Sequence, residues 1–316
     1  MIAIEKEHIE ELNYWRELAL EETDGTDREY QRQILFGWHV LDCPDEDVLL
    51  AELKTASEAE NYRRVQQIFF TRNKKELSWF LSSGYDHCFL VYRVIPYLCC
   101  AVYDEIYRAF PDSLPLAANG HSMLVNATAL LQCILYKGKY DVQKVISKAE
   151  KYVSSKQPKW YRAYVACFLA MLEENDVMFS DNLQILCDYH SRQDFSMFEK
   201  YKSQYAYGLL VFAKHNLPES VFRKVRLPEH KTFDQGYMKW LYDGQFVRRS
   251  IYDYKDPFEE LNYVYEMPLP TTAVYQPYLD AENVQVSPQE KKAYHMDVEA
   301  MNDQILDYVI NKKLKL

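Results

Sequence analysis

Acid, base and nucleophile side chains are consecutive in this sequence at Asp86, His87 and Cys88. These are the residue types of a hydrolytic triad, in which the base must lie within hydrogen-bonding distance of both other groups. Side chains of consecutive residues in a helix or turn point in different directions. We therefore interpret this stretch as a satisfied, partly buried cluster and not as a catalytic triad.

Two pairs of residues have the spacing of metal ligands. Cys187 and His190 are three residues apart, so a helix would place them on one face. A structural zinc site needs four ligands, and the sequence has no second pair of this kind. Glu5 and His8 have the Glu-x-x-His spacing of di-iron bundles, which use that motif twice together with two further glutamates. We expect neither pair to bind a metal.

Glycine-dependent motifs are missing from the sequence, which has only 8 glycines. There is no P-loop, no dinucleotide-binding fingerprint, no His-Glu-x-x-His and no Gly-x-Ser-x-Gly. We therefore expect no enzymatic activity and no cofactor. An enzyme of unrecognised type stays an alternative, which a metal at Cys187 and His190 or a pocket gathering several carboxylates would favour.

A long uncharged stretch from Ser113 to Tyr136 determines how the remaining elements are arranged. From Met123 onwards it is apolar on nearly every side of a helix. A helix without a polar face belongs in the interior of a protein. Its polar start leaves it too short to cross a bilayer, which needs about 20 apolar residues. We predict a buried central helix with the other helices packed around it.

Prolines and serines predict where neighbouring helices break. Pro96 should kink or split the apolar helix in which it lies. The helix that starts near Pro44 either continues to about Phe70 or bends near Ser57. Further helices are predicted over residues 75–81 and 194–215.

Joints between paired helices recur in the middle of the chain. The segments that start at Tyr136 and Glu173 separate helix pairs and lie 37 residues apart. This spacing is typical of α-hairpin arrays of the tetratricopeptide type.

The C-terminal part differs in composition from the rest of the chain. Five of the 12 prolines lie between residues 256 and 288, so this segment cannot be one long helix, and we expect an ordered strap across the helices. The run Ser287-Pro288-Gln289-Glu290 predicts a capping box at the start of a final helix. The apolar stripe of that helix, from Tyr294 to Tyr308, either packs on the bundle or forms a homodimer.

These patterns predict an all-α fold. We expect a multi-helix bundle of stacked α-hairpins, a tetratricopeptide-like array, with a proline- and tyrosine-rich strap and a C-terminal helix. Four segments would form one compact unit. They are the acidic N-terminal helices (1–85), the helical-hairpin core (86–245), the strap (246–287) and the C-terminal helix (288–316).

The net charge of −10 is concentrated at one end of the chain. Residues 1–60 contain 17 acidic and 5 basic side chains, whereas the remaining residues contain 30 acidic and 32 basic ones. Such a balance disfavours nucleic-acid binding, which requires a basic surface, and favours a basic protein partner. The alternative is that the acidic region is only a solvated helical face.

Two features predict the compartment. The N-terminus becomes acidic within five residues, and the 7 cysteines have no regular spacing. Neither feature is typical of a signal peptide or of a disulfide framework. We predict a cytoplasmic protein with free thiols and no membrane association.

The region from about Gly120 to Gly244 resembles the Immunity protein 49 family of bacterial polymorphic toxin systems. The resemblance depends on helical patterns in three passages: Trp160-Tyr161-Arg162-Ala163-Tyr164-Val165-Ala166, Asn182-Leu183-Gln184-Ile185-Leu186 and Tyr207-Gly208-Leu209-Leu210-Val211-Phe212-Ala213-Lys214-His215. It implies an all-helical fold and binding of a cognate toxin. The family has no catalytic motif that would assign site residues to this chain.

We therefore predict an immunity protein that neutralises a cognate bacterial toxin, with a basic surface, by stoichiometric occlusion. Acidic residues of the first 60 would form one contact surface, and acidic residues and tyrosines of the strap would add a second, since tyrosine is favoured at binding hot spots. The predicted contact residues are Asp24, Asp27, Glu29, Asp45, Glu46, Asp47, Tyr252, Asp253, Tyr254, Glu259 and Glu260.

The alternative function is a helical-repeat scaffold or adaptor that binds a peptide or a regulatory protein in a concave groove. Charge reversal within residues 1–60 would leave such a protein unaffected.

Overall fold

Helices make up nearly all regular structure in the computed structural model, which describes residues 6–22, 28, 30, 46–78, 86–256, 258–278, 287 and 290–313. Fifteen α-helices lie within these residues. They are α1 (Lys6–Glu22), α2 (Glu46–Glu58), α3 (Tyr62–Ser78), α4 (Leu90–Tyr97), α5 (Ile106–Ala109), α6 (Ser122–Leu135), α7 (Val142–Val153), α8 (Lys159–Leu172), α9 (Asp176–Asp188), α10 (Met197–Tyr201), α11 (Gln204–Asn216), α12 (Glu219–Phe222), α13 (Gln235–Tyr242), α14 (Glu260–Glu266) and α15 (Val298–Lys313). Two short strands, β1 (Val274–Tyr275) and β2 (His295–Met296), pair antiparallel. The prediction of an all-α multi-helix bundle is confirmed.

The hydrophobic core extends along the whole chain, from Leu12 in α1 to Val309 in α15. Helix α6 lies deep within it, with 10 of its 14 residues buried, and contacts α4, α7 and α8. The prediction of a buried central helix is confirmed for these residues. The uncharged residues before Ser122 form a loop that leads into the helix.

The helices pair both with their sequence neighbours and over long distances. Helices α6, α7, α8 and α9 contact one another in succession, as hairpins require. Helix α11 packs mainly against α4, about a hundred residues earlier in the chain. The helices thus form a bundle with long-range contacts, and the tetratricopeptide-like array stays a prediction.

The helix breaks occur where the sequence predicts them. Helix α4 ends at Tyr97, one residue after Pro96, and the chain continues through turns, so the split at this proline is confirmed. Between α2 and α3, Glu60 has a φ of 50°, a left-handed backbone conformation that no helix continues through. The chain therefore bends close to Ser57 instead of continuing as one helix.

Two predicted helices are wrong in their bounds. Residues 75–78 belong to the end of α3 and not to a separate helix, and residues 79–81 lie outside the described part. The single helix predicted over 194–215 is divided into α10 and α11. Ser196 and Glu199 form a capping box that starts α10, and Lys202 then adopts an extended backbone that ends it.

The final helix begins at Val298 and not near residue 288. Ser287 and Glu290 form the predicted reciprocal hydrogen bonds, at 2.8 and 3.2 Å. They cap only a three-residue 3₁₀ turn, after which the chain enters β2. Asp297 caps α15 instead, with its carboxylate accepting the N–H of Ala300 at 3.0 Å.

The described part of the strap is ordered on the helical bundle, as the sequence predicts. Its short helix α14 contacts both α3 and α15. Met301 and Ile305 of the C-terminal stripe are buried within the chain. The stripe therefore packs on the bundle, and a homodimer through this helix stays a prediction.

Helices α4 and α11 approach each other most closely at Gly208. A Cβ atom built on this glycine would lie far inside contact distance of the Ile95 carbonyl oxygen. Gly208 lies within a helix and needs no unusual backbone conformation. A glycine is required here because any side chain would collide with α4. The long-range pairing of α4 with α11 depends on it.

We expect Gly208→Ala to lower the free energy of unfolding by about 3 kcal/mol or more, because the added methyl group forces the two helices apart. Gly138→Ala is the control. Its Cβ would meet nothing within 4 Å, but its φ of 83° strains any side chain, at a cost of about 1–2 kcal/mol. Urea unfolding of both variants measures the difference, and equal losses would contradict the proposed close contact.

Candidate functional site

A cleft of about 590 Å³ lies between α14 and the extended segment that precedes it. We call it the strap cleft. Its walls combine aromatic rings with charged side chains of both signs, and its residues come from two stretches of the chain. The lining residues are Val247, Arg248, Arg249, Ser250, Tyr252, Asp253, Tyr254, Lys255, Asp256, Glu259, Asn262, Tyr263, Tyr265 and Glu266.

Side-chain hydrogen bonds hold the extended wall of the cleft in place. The Thr71 hydroxyl of α3 accepts the N–H of Ile251 at 2.9 Å. The amide of Asn262 in α14 accepts the N–H of Tyr254 at 3.1 Å and donates to its carbonyl oxygen at 2.7 Å. The wall is thus fastened on one side to α3 and on the other to α14, so the cleft has a fixed width.

A buried carboxylate, that of Glu105, holds the same wall of the cleft from its buried side. It accepts hydrogen bonds from the Tyr97 hydroxyl at 2.9 Å, from the Arg248 guanidinium at 2.8 Å and from the N–H of Leu269 at 3.0 Å. Arg108 also donates to the Leu269 carbonyl oxygen. A buried charge is tolerated only when it is paired and hydrogen-bonded, and these partners come from both ends of the strap segment.

A buried lysine, Lys74 of α3, lies near this carboxylate. Its ammonium group donates to the Met267 carbonyl oxygen at 2.7 Å, just after α14. Burial lowers the pKa of Lys74 to about 8, although the negative charge of Glu105 opposes the shift. Lys74 therefore joins α3 to the strap but keeps a costly charge in the interior at neutral pH.

The rim of the cleft carries exposed carboxylates. Asp253 forms an ion pair with Lys255, whose Nζ lies 2.5 Å from the carboxylate Oδ2. This contact lowers the pKa of the Asp253 carboxyl group. Asp256 and Glu259 are exposed, and they form no ion pair with any residue that the structure describes. Negative charge beside tyrosine rings is suited to a cationic side chain, which both carboxylates and aromatic faces attract.

The structure brings part of the predicted contact set together at this cleft. Asp253 and Glu259 line it. Tyr252 and Tyr254 also line it but are only 7% and 2% exposed, so their role as contact residues stays a prediction. Both rings pack in the core while the backbone between them presents Asp253. Glu260 starts α14 and is partly buried.

The predicted N-terminal contacts are described only in part. Asp24, Asp27, Glu29 and Asp45 lie outside the described residues. Asp47 is exposed at the start of α2.

Its neighbour Glu46 forms an ion pair with Arg72 at 3.0 Å. This carboxylate therefore helps to hold α2 on α3, a role that was not predicted from its sequence position.

Several residues of the site were missed by sequence reasoning. Lys74, Glu105, Arg248 and Asn262 carry no recognisable spacing, and the Glu105–Arg248 pair spans 143 residues. Lys74 stands in the polar run Arg72-Asn73-Lys74-Lys75-Glu76 and Glu105 follows Asp104, so no local pattern marks either residue for burial.

The consecutive Asp86, His87 and Cys88 form a buried cluster, as interpreted, but the cluster is not fully satisfied, because His87 Nε2 has no hydrogen-bond partner among the described residues. The Asp86 carboxylate accepts the N–H of Cys88 at 3.1 Å and lies 2.6 Å from His87 Nδ1. The Cys88 thiol instead donates to the Asn119 carbonyl oxygen at 3.0 Å. Burial raises the pKa of this thiol to about 12, so it is not a nucleophilic thiolate at neutral pH.

The Cys187 and His190 pair is also buried. His190 Nε2 is occupied by the Glu199 carbonyl oxygen at 2.8 Å, and burial lowers the pKa of this imidazole to about 4. Burial raises the pKa of Cys187 to about 12. All six cysteines of the described residues are buried and free. Glu5 and the His8 side chain lie outside the described part.

Searches of the described residues give two further findings. No group of three or more His, Cys, Asp or Glu side chains is arranged to hold a metal ion. No helix in this part of the chain combines the length and the apolar character needed to cross a membrane.

Comparison of the chain with protein-family models, with curated proteins and with solved structures gives no match in any of the three. The resemblance to an immunity family therefore stays a prediction, and the strap cleft and the charge distribution carry the functional argument.

We expect the stability of the protein to rise with pH through the titration of Lys74. Its pKa is lower in the folded state, about 8, than the ordinary value of 10.5. The penalty for burying the charge is therefore complete below pH 8 and shrinks as pH rises towards 10.5. Between pH 7 and 9.5 this contributes roughly 2 kcal/mol to the free energy of unfolding.

Urea unfolding of the wild type and of Lys74→Met at both pH values measures this contribution. Thiols and phenols make the same pH-dependent contribution to the free energy of unfolding in both proteins. That contribution therefore cancels when the two free energies are subtracted. The wild type should gain roughly 2 kcal/mol relative to the variant, which has no group to titrate there. The exposed Lys239→Met is the control and should show no such change, and a pH-independent difference for Lys74→Met would contradict the assignment.

Proposed function

We propose that this chain is an immunity protein that neutralises a cognate toxin by binding it and covering its working surface. The observation that carries the proposal is the strap cleft, which the exposed carboxylates Asp256 and Glu259 line together with the half-buried Tyr263. A basic segment of the toxin would place a lysine or arginine side chain there. Inhibition by occlusion needs no catalytic group in the inhibitor.

The charge distribution supports a basic partner. Residues 1–60 carry 17 acidic and 5 basic side chains, and exposed carboxylates of this region include Glu11, Glu17 and Glu21 on α1 and Glu58 at the end of α2. A negative field of this kind attracts a basic protein and accelerates its association.

The state of the reactive side chains agrees with a binding role. His87, Cys88, Cys187 and His190 are each at most 3% exposed, and a substrate could not reach them without opening the core. The strap cleft, in contrast, gathers four carboxylates, of Asp253, Asp256, Glu259 and Glu266, so the alternative of an enzyme of unrecognised type also stays a prediction.

The scaffold or adaptor function is the second candidate, and the strap cleft is the observation that favours it. A cleft with a fixed extended wall is suited to a peptide. The two functions differ in their dependence on charge, since an adaptor would not need the acidic excess of residues 1–60.

We expect the double variant Asp256→Lys/Glu259→Lys to bind the product of the adjacent gene at least tenfold more weakly, which corresponds to about 1.4 kcal/mol. The reversed charges would repel a basic segment and leave the buried Glu105 network intact. Co-expression, pull-down and calorimetry measure the binding, and rescue of growth reports neutralisation.

Glu150→Lys/Glu173→Lys is the matched control, because it makes the same change in net charge at exposed positions outside the cleft, on α7 and in the turn after α8. It should bind and rescue like the wild type. Absence of any complex between the wild-type chain and that gene product, together with absence of growth rescue, would refute the immunity function. Binding that survives both cleft substitutions and charge reversal within residues 1–60 would favour the adaptor.

A further inference from the structure

Helix α7 carries a strip of lysines that is exposed to solvent. Lys144, Lys148 and Lys151 follow one another at intervals of four and three residues, which places them on one face of the helix. We call this strip the basic face. The opposite side of α7 buries Val145 and Ala149 against the bundle.

The positive charge continues beyond the end of α7. Residues 141–162 contain six basic and two acidic side chains. Lys159, in the first turn of α8, donates to the Tyr189 hydroxyl at 3.0 Å, and this contact lowers the pKa of the phenol. Among the described residues, the lysines of the basic face form no ion pair. A concentrated charge of this kind, without internal partners, attracts an anionic surface.

Helix α1 has a complementary face of the same geometry. Glu10, Tyr14, Glu17 and Glu21 follow at intervals of four, three and four residues, and all are exposed. We call this strip the acidic face. Its spacing repeats that of the basic face, so two antiparallel helices would bring Glu17 and Glu21 opposite two lysines.

The aromatic ring within the acidic face adds a second element of complementarity. Tyr14 is 61% exposed, which is unusual for a large side chain on a helix that buries Leu12 and Ala19 in the core. Placed against α7, its ring would lie beside a lysine ammonium group, an arrangement that cation–π attraction favours.

We propose that the basic face of α7 docks on the acidic face of α1 in a second copy of this chain. Both faces are exposed within one copy, so a second molecule is needed to bring them together. Because the two faces are different surfaces, the contact either repeats head to tail as a chain or ring of copies or occurs twice in a two-fold symmetric dimer. Exposed ion pairs are weak and screened by salt, so the association is reversible and strongest at low ionic strength.

This inference does not rest on the proposed function, although a basic partner attracted to Glu17 and Glu21 would compete with the second copy for the acidic face. Sedimentation velocity of the full chain should show masses above the monomer at low salt, rising with protein concentration, and monomer only at about 0.5 M salt, where the Debye length is short. A wild-type chain that stays monomeric at low salt and high concentration would overturn the proposal.

Charge reversal on either face separates this contact from nonspecific attraction. Lys148→Glu/Lys151→Glu makes both faces acidic, and Glu17→Lys/Glu21→Lys makes both basic, so each variant alone should be monomeric. A mixture of the two should associate again, because each supplies the face that the other lacks. The combined fourfold variant, with the charges exchanged, should also self-associate.

Lys231→Glu/Lys239→Glu is the control for net charge, at exposed lysines away from α7. It should self-associate like the wild type. Loss of association in this control, or failure of the mixture to associate, would show that overall charge and not the two faces is responsible, and would refute the contact.

Discussion

The burial of one carboxylate, Glu105, is the constraint on which the C-terminal third of the structure depends. An ionised group removed from water costs several kcal/mol unless its partners replace the lost hydration. Glu105 obtains these partners from Tyr97 on α4, Arg248 on the cleft wall and the backbone of Leu269 beyond α14. Removing any of them leaves a buried charge incompletely satisfied, so the strap segment is held in one position.

The strap cleft is a consequence of this arrangement. Its extended wall is fixed at Arg248 by the buried carboxylate and at Tyr254 by the Asn262 side chain. The polar rim remains in solvent because the tyrosines of the wall turn inwards, where their rings fill the core. The cleft wall is held in place on its buried side and carries charge on its solvent side. Such a surface is typical of sites at which proteins recognise partners by shape and electrostatics.

Local sequence patterns were sufficient for much of the fold. The uncharged stretch identified the central helix, and Pro96 identified the end of α4, because each signal acts within a few residues. Reasoning failed where short-range signals competed. The capping box at Ser287 and Glu290 forms, but the chain leaves the helical conformation after one turn and pairs as a β-strand. At Lys202 an extended backbone ends a stretch whose apolar residues predict one continuous helix.

The cleft was less predictable than the helices because its geometry is set by contacts that sequence spacing does not encode. The segment from Tyr252 to Glu260 was identified through its acids and tyrosines, yet the pattern could not tell which side chains face solvent. Asp253 and Glu259 line the cleft with their carboxylates, whereas the two tyrosines line it from almost fully buried positions. The deciding contact is an ion pair across 143 residues, and no local pattern predicts its formation.

The burial of the six described cysteines gives the molecule six internal reporters of its own opening. A thiol without access to solvent cannot be alkylated or oxidised while the surrounding helices remain packed. Its labelling rate then follows the population of molecules in which that helix has separated from its neighbours. Because these cysteines are distributed over α6, α8, α9 and the short turns that flank α4, comparison of their rates would show which layer of the bundle loosens first. An oxidant would likewise reach these six thiols only in molecules whose helices have separated.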